Sequence, residues 1–506
     1  WSSDVCSSDL STPQYGSSNA LLLGDSGSST VTLNSATQLN IQGDSTYSAA
    51  LNSGQIGRGI YALGTLNTTG AITWTGTSRS SDGILSNATI NHSGGTLSIN
   101  GTSSPAAVAT GYTANGVSMT GTLTLTDGSN LSMVGAYTGR GVNSDAGVGL
   151  NIASTVRSTF ASPGILMLNG TASAITGSTT NEVGLSMTGA LSGWGNTTLL
   201  AQNSAGSPGA ALAVSGNINV GGNQLNVLAN GGQIFQGSSS TWTAGQVTLD
   251  NTGAGRSSLF ADTSGSPNAS ITNGQSYGGS IAADGTITPG SAVSTAGSAA
   301  RGLNLNGFIN ASSNINAASN ATAYINSVLT STNGNINLRG NFAGTNGHGL
   351  HLVKNITASN GNVNLVGTTA ITTAATAGVF SAATVTGRNI TMLAAATATS
   401  GNVLGYYGAA GVFSASQQLS LTGTSGSSGV GLYSYGGRYA SGTGMTLVGT
   451  SAQGGAIGMD ANLVVSNSTS GGIDVTATST DSSKNAIALR GVSITNGGGD
   501  LTIKAT

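Results

Sequence analysis

The sequence predicts an all-β fold, a right-handed parallel β-helix (β-solenoid) with about 28 residues per coil. Three observations carry that expectation. The composition is that of an ordered chain with almost no charge: 81 of 506 residues are glycine and only 6% are charged, against about 25% in an ordinary globular protein. Short runs alternate apolar and small polar residues with period 2, the signature of strands that bury one face. The same strand phrase also returns at near-constant spacing, which marks a repeat architecture.

The repeat is clearest in the C-terminal half. NINLRG (335–340), NVNLVGTT (362–369), NITMLAAAT (389–397), LSLTGTS (419–425), MTLVGTS (445–451), IDVTATS (473–479) and LTIKAT (501–506) share one shape. Their first apolar residues, Ile336, Val363, Ile390, Leu419, Met445, Ile473 and Leu501, lie 27, 27, 29, 26, 28 and 28 residues apart. Between them come Gly-apolar starts: GLHL (349–352), GVF (378–380), GVF (411–413), GVGLY (429–433), IGM (457–459) and IALR (487–490). A third, shorter alternating piece follows, as in NITAS (355–359), LVVS (463–466) and VSIT (492–495). One unit therefore reads as three strands separated by Gly and Asn turns, where positive φ costs little.

The N-terminal half keeps the phrase with looser timing. LNIQGDS (39–45), ITWTGTS (72–78), LSINGTS (97–103), LSMVGA (131–136) and LMLNGTA (166–172) are spaced by 33, 25, 34 and 35 residues. All six prolines fall before residue 290, and 251–300 has few alternations. The organisation expected is irregular repeats over 11–250, a loop-rich segment over 251–300 and regular repeats over 301–506, cut at the C-terminus. No strand trio can bury its face alone, so the units must stack with parallel pairing at about 4.8 Å. About 28 residues per coil then gives on the order of 17 coils and a rod of about 80 Å. Asn335, Asn362 and Asn389 recur at one point of the repeat, suiting both a turn into a strand and a stacked side-chain ladder.

The first ten residues, WSSDVCSSDL, do not match the rest. They hold the only cysteine, Cys6, and lack the basic and apolar regions of a signal peptide. Their back-translation resembles a common short-read sequencing adapter, so residues 1–10 are expected to be a non-native scar and the protein a fragment. Net charge is −2 for the whole chain and zero without that stretch. That leaves no electrostatic case for nucleic acid or an anionic membrane as partner. No apolar run approaches the length needed to span a bilayer, so membrane insertion is not expected.

Candidate chemistry is sparse. The only glutamate is Glu182, and no acidic residue lies between Asp284 and Asp460. Asp82, Asp127, Asp145, Asp250 and Asp262 are scattered singly and read as turn formers beside Gly or Ser. His348 and His351, in GHGLH, are three apart and would face opposite sides of a strand, with no acidic residue or cysteine nearby. They read as solvent-facing or turn histidines. Tyr406, Tyr407, Tyr433, Tyr435 and Tyr439 cluster near Arg438. They suit either a binding patch or, more simply, stacking between adjacent coils. Asn-x-Ser/Thr sequons at Asn67, Asn91, Asn130, Asn310, Asn355 and Asn389 are no more than this composition supplies by chance. The expectation is no catalytic, cofactor or metal site and no enzymatic activity, with binding residues unknown.

The phrases TGAITWTGTS, DGILSNATINHSGGTLSINGTS and GVGLYS followed by GMTLVGTS resemble the repeat region of filamentous haemagglutinin-family exoproteins of Gram-negative bacteria. The resemblance covers most of residues 20–506 and rests on repeat style. It implies part of a very large adhesin, a β-helical shaft displayed on or shed from the outer surface, often exported by two-partner secretion. Its partners would be a host-cell or glycan receptor and an outer-membrane transporter. The family's secretion domain is not in this sequence, and no family site residue finds a match. An autotransporter passenger is the nearby alternative, and a polysaccharide-active β-helix enzyme the rival of a different class.

Overall fold

The computed structural model describes residues 19–25, 29–46, 57–105, 114–139, 147–159, 163–173, 182–203, 210–230, 232–251, 301–342, 347–370, 376–469 and 471–506. It also describes four two-residue strands between 275 and 294, paired antiparallel. The expectations for residues 1–10 and for nearly all of 251–300 lie outside the described residues. The described residues form two compact units, one running to Ala244 and the other from Gly245 onward. Each is a parallel β-helix. Among the described residues no helix is long and apolar enough to cross a membrane.

In the second unit a coil is three strands, such as Leu350–Leu352, Ile356–Ala358 and Val363–Thr369. The next coil, Ala377–Ser381, Thr384–Gly387 and Ile390–Ala396, pairs with it in parallel strand for strand. The repeat read from sequence is the register observed. Ile336, Val363, Ile390, Leu419, Met445, Ile473 and Leu501 are successive Cα partners on the third, long strand. From Ile336 to Ile473 these side chains are at most 2% exposed. Such burial stabilises by roughly 1.5–3 kcal/mol per side chain. Leu338, Leu365, Met392, Leu421, Leu447 and Val475 form the neighbouring inward column two residues along.

The first unit obeys the same rule with coils of uneven length. Leu39, Ile72, Leu97, Leu131 and Leu166 are again direct partners. Trp74 fills the inward column between Ile41 and Ile99 and is fully buried. At its early levels the second and third strands merge: Thr65–Ser78 pairs with both Thr89–Ser93 and Thr96–Ser103.

One Gly-apolar start, GVF at 411–413, does not open a coil. Val412 and Phe413 lie on a second strand, Val412–Ala415, not on a first strand. The first-strand column runs Leu350, Val379, Tyr406, Leu432, Ile457, Ile487. In that coil GYY (405–407) and GVF (411–413) both fit the pattern, and GYY holds the first-strand position while GVF follows as the second strand.

The Gly-Thr-Ser phrase closes the coils at 76–78, 101–103, 423–425 and 449–451. Gly76, Gly101, Gly135 and Gly170 are stacked partners near the end of the long strand. A Cβ on Gly101, Gly135 or Gly170 would be driven into the carbonyl oxygen of Gly116, Gly149 or Gly184, each at the first strand of the following coil. Gly367, Gly423 and Gly449 meet the carbonyls of Gly378, Gly431 and Ala456 in the same way. The phrase and the next Gly-apolar start are therefore one device, a narrow edge where two backbones touch. Its serine then turns inward: Ser103 Oγ donates to Ser81 O at 2.5 Å, Ser425 Oγ to Val403 O at 2.7 Å and Ser451 Oγ to Gly429 O at 2.8 Å. Each hydroxyl satisfies a carbonyl in a connection that no strand pairs, which burial makes necessary.

Candidate functional site

Both faces of many first strands are buried, so outward-pointing residues there are not on the surface. Ser118, Ser186 and Phe235 in the first unit, and Asn304, Tyr324, His351 and Phe380 in the second, are 8% exposed or less. Several sequence-level readings change for this reason. Asp82 is not an exposed turn former. Its carboxylate accepts bonds from Asn115 N and Asn115 Nδ2, both at 2.8 Å, and lies 3.7 Å from Arg58 Nε. Burial pushes its pKa up to about 6, against the opposing pull of those bonds and of Arg58. Arg58 in turn lies over the Tyr61 ring, 4.6 Å from its centroid. Asp127 does sit in a turn, at φ 56°. Asp145 and Asp262 lie outside the described residues. Glu182 is fully buried just before the strand Val183–Met187.

The histidines are interior as well. His348 and His351 are 2% and 4% exposed, and their rings meet edge to face at 5.1 Å. The expectation of opposite faces fails because His348 precedes its strand, where alternation does not apply, so both rings reach Phe380 at 4.9 and 4.6 Å. His348 Nδ1 accepts a bond from Ala377 N at 3.0 Å, one coil on. Asp82 accepts Asn115 N at the corresponding point of its coil. At these two levels a side chain just before the seam glycine ties one coil to the next. Among the described residues no three His, Cys, Asp or Glu side chains gather where they could hold a metal ion. His92, not singled out by sequence reading, is buried with Nδ1 2.9 Å from Thr68 Oγ1, and burial lowers its pKa to about 4.

The late tyrosines divide into two sets. Tyr406 and Tyr439 are inside the core with Phe413 between them, at ring distances of 6.0 and 5.8 Å. Ser434 Oγ hydrogen-bonds the Tyr439 hydroxyl. On the outer side of the first strands a separate column runs Tyr324, His351, Phe380, Tyr407, Tyr433. It is buried at its first three levels and half-exposed at the last two. Tyr407 and Tyr433 stack at 5.7 Å with planes 29° apart. Stacking between coils is therefore what these residues do. Arg438 stands on the next strand in a column with Val412 and Val464.

The outward face of the long strands is amide-rich. Asn337 Nδ2 donates to Asn316 Oδ1 at 2.8 Å, and Asn364 Nδ2 to Asn337 Oδ1 at 2.7 Å. The ladder anticipated at Asn335, Asn362 and Asn389 is present and also serves the turn. Asn362 N donates to Asn335 Oδ1 at 2.9 Å, and Asn389 Nδ2 to Asn362 Oδ1 at 2.9 Å. Asp250, Asn316, Ala318, Asn337, Arg339 and Val366 help line a shallow depression of about 390 Å³ on this face. Among the sequons, Asn91 Nδ2 is bonded to Asn67 Oδ1 at 3.0 Å, and Asn130 Oδ1 accepts Ile165 N at 2.8 Å. A glycan on Asn91 or Asn389 would be attached through the same Nδ2 that makes the rung. No family model, no curated protein and no solved structure matches this chain.

Proposed function

We propose that this chain is part of the β-helical shaft of a large adhesin of the filamentous haemagglutinin type, displayed on or released from the outer surface of a Gram-negative bacterium and acting in attachment or cell contact. The observation that supports this most is the register of the second unit. One inward column persists from Ile336 to Leu501 through seven levels. Around it, most of the unusual residues go into holding one level on the next: Gly-Thr-Ser seams, Asn rungs and stacked aromatics. A chain built this way supplies length and a regular surface. A host-cell or glycan receptor and an outer-membrane transporter are the partners this reading calls for.

The test uses an antibody raised against the purified chain on intact and permeabilised cells of the source bacterium, with adhesion to host cells measured with and without the gene. Surface labelling together with reduced adhesion on deletion is the expected result. Labelling only after permeabilisation overturns the reading.

A further inference from the structure

The outward side of the long strands in the second unit carries a pattern that holding the coils together does not use. Its middle column runs level by level from Asp250 through Arg339, Val366, Leu393 and Thr422 to Lys504. The column beside it, two residues earlier on each strand, runs from Thr248 through Thr391 to Asp474 and Thr502. No bulge shifts either register. The charged residues pointing outward on these strands are Asp250, Arg339, Asp474 and Lys504, two of each sign. Leu393, 50% exposed, lies midway, four levels from either end.

We propose that this face binds a second copy of the chain, sheet against sheet, about a two-fold axis running along the strand direction at the level of Leu393. Such an axis reverses the order of the levels and keeps each column facing itself. Leu393 then meets Leu393 of the second copy at the centre. Asp250 meets Lys504 of the second copy, four levels out on either side. Arg339 lies over Val448 of the second copy and one diagonal step from its Asp474, within reach of the long arginine side chain. All four charges thus face an opposite charge, and the symmetry makes each pair twice. The depression of about 390 Å³ between Asp250 and Arg339 lies opposite Thr476 and Lys504 of the second copy and has room for the lysine stem.

The charges select this arrangement over its neighbours. The other face-to-face two-fold, along the stack, sets Arg339 on Arg339 and Lys504 on Lys504, and like charges so placed repel. An axis at Ala318 pairs Asp250 with Arg339 but leaves Leu393 outside the contact between second units. A partner of other chemistry does not require the charges to balance about Leu393, whereas a second copy does. Eight steps of about 4.8 Å by two of about 6.7 Å give a patch of roughly 500 Å² per copy. Twice that area is at the low end for a specific interface, which suits a weak, concentration-dependent dimer with an apolar centre and a charged rim.

The full chain carrying Cys6→Ser and Thr391→Cys is treated with a short bis-maleimide, matched to the roughly 10 Å between facing sheets. Thr391 shares the strand Ile390–Ala396 with Leu393 and meets itself across the proposed axis. Cross-linked dimer should form and fall away on dilution. Thr384→Cys, exposed at the same level on the second strand, should give none. Added singly to the Thr391→Cys chain, Leu393→Asp, Arg339→Asp and Asp474→Arg should each lower the yield at least about tenfold. An equal mixture of the Arg339→Asp and Asp474→Arg chains should restore it, because each then meets an opposite charge, and two misfolded chains could not do this. Cross-linking at Thr384 as strong as at Thr391, none at Thr391, yields indifferent to the three substitutions, or no recovery on mixing overturns the proposal.

Discussion

Gly135 shows why a chain this rich in glycine is not loose. Its missing side chain lets the long strand touch the carbonyl of Gly149, and any Cβ must displace backbone. Gly135→Val should lower the stability of the first unit by about 1–3 kcal/mol, the usual cost of overpacking. Trp74, Trp194 and Trp242 are buried in that unit, so urea unfolding followed by tryptophan fluorescence reads it directly. Ala394, at the same point of its coil between Gly367 and Gly423, should tolerate Gly at roughly 0.5–1 kcal/mol. Ser451→Ala leaves Gly429 O and Gly454 N without their partner and should cost about 1–3 kcal/mol in the second unit. Two buried ionisable residues of the first unit pull in opposite directions with pH. Asp82 is raised from 3.8 to about 6, so the folded chain keeps a proton that the unfolded chain has released, and stability falls as pH rises through about 6. His92 is lowered from 6.5 to about 4, so the unfolded chain gains its proton first, and stability falls as pH drops through about 4. Urea midpoints from pH 4 to 7 should show only the histidine limb in Asp82→Asn and only the aspartate limb in His92→Gln. Matching profiles for the two variants would refute the assignment.

A strand here is held to its neighbours along the stack more than to anything else in its own coil. Asn337 donates to Asn316 and accepts from Asn364, so Asn337→Ala removes two rungs at once. Half-buried amide bonds contribute about 0.5–1.5 kcal/mol each, and the loss should exceed that of Thr446→Ala on the same face, where no such ladder runs. Thermal melts of both variants decide it. The same dependence explains what the sequence discloses. Period-2 alternation and Gly-Asn turns mark inward positions, so the partners of Ile336 and of Leu97 can be read without a structure. Alternation is silent about the outer side. Nothing in GHGLH or SSDG announces that His351 or Asp82 is buried on it, so a histidine expected in solvent is packed on Phe380 and an aspartate expected in a turn is paired with Arg58. The tyrosines could be grouped by proximity in sequence. Only the register separates the inward pair, Tyr406 and Tyr439, from the outward pair, Tyr407 and Tyr433.

For the molecule as a whole, stacking is both the source of stability and a liability at any level that lacks a neighbour. In this polypeptide the strand Leu501–Ala505 pairs on one side with Ile473–Ser479. Leu501 and Ile503 continue columns that are otherwise dry, yet they are 48% and 47% exposed. An apolar strand with an unpaired edge is a template for another chain, and the near-zero net charge offers little repulsion. The 506-residue chain should therefore associate in a concentration-dependent way, visible by sedimentation velocity. Raising salt should do little to break the association, because apolar burial and backbone pairing drive it rather than ion pairs. Replacing Leu501 and Ile503 together by Lys places charge where the next chain would dock, as natural edge strands do. The double variant should keep its β-type circular dichroism and sediment as a smaller species. Undiminished association in that variant would locate the contact elsewhere, with the exposed Leu393 of the long-strand face as the next place to look.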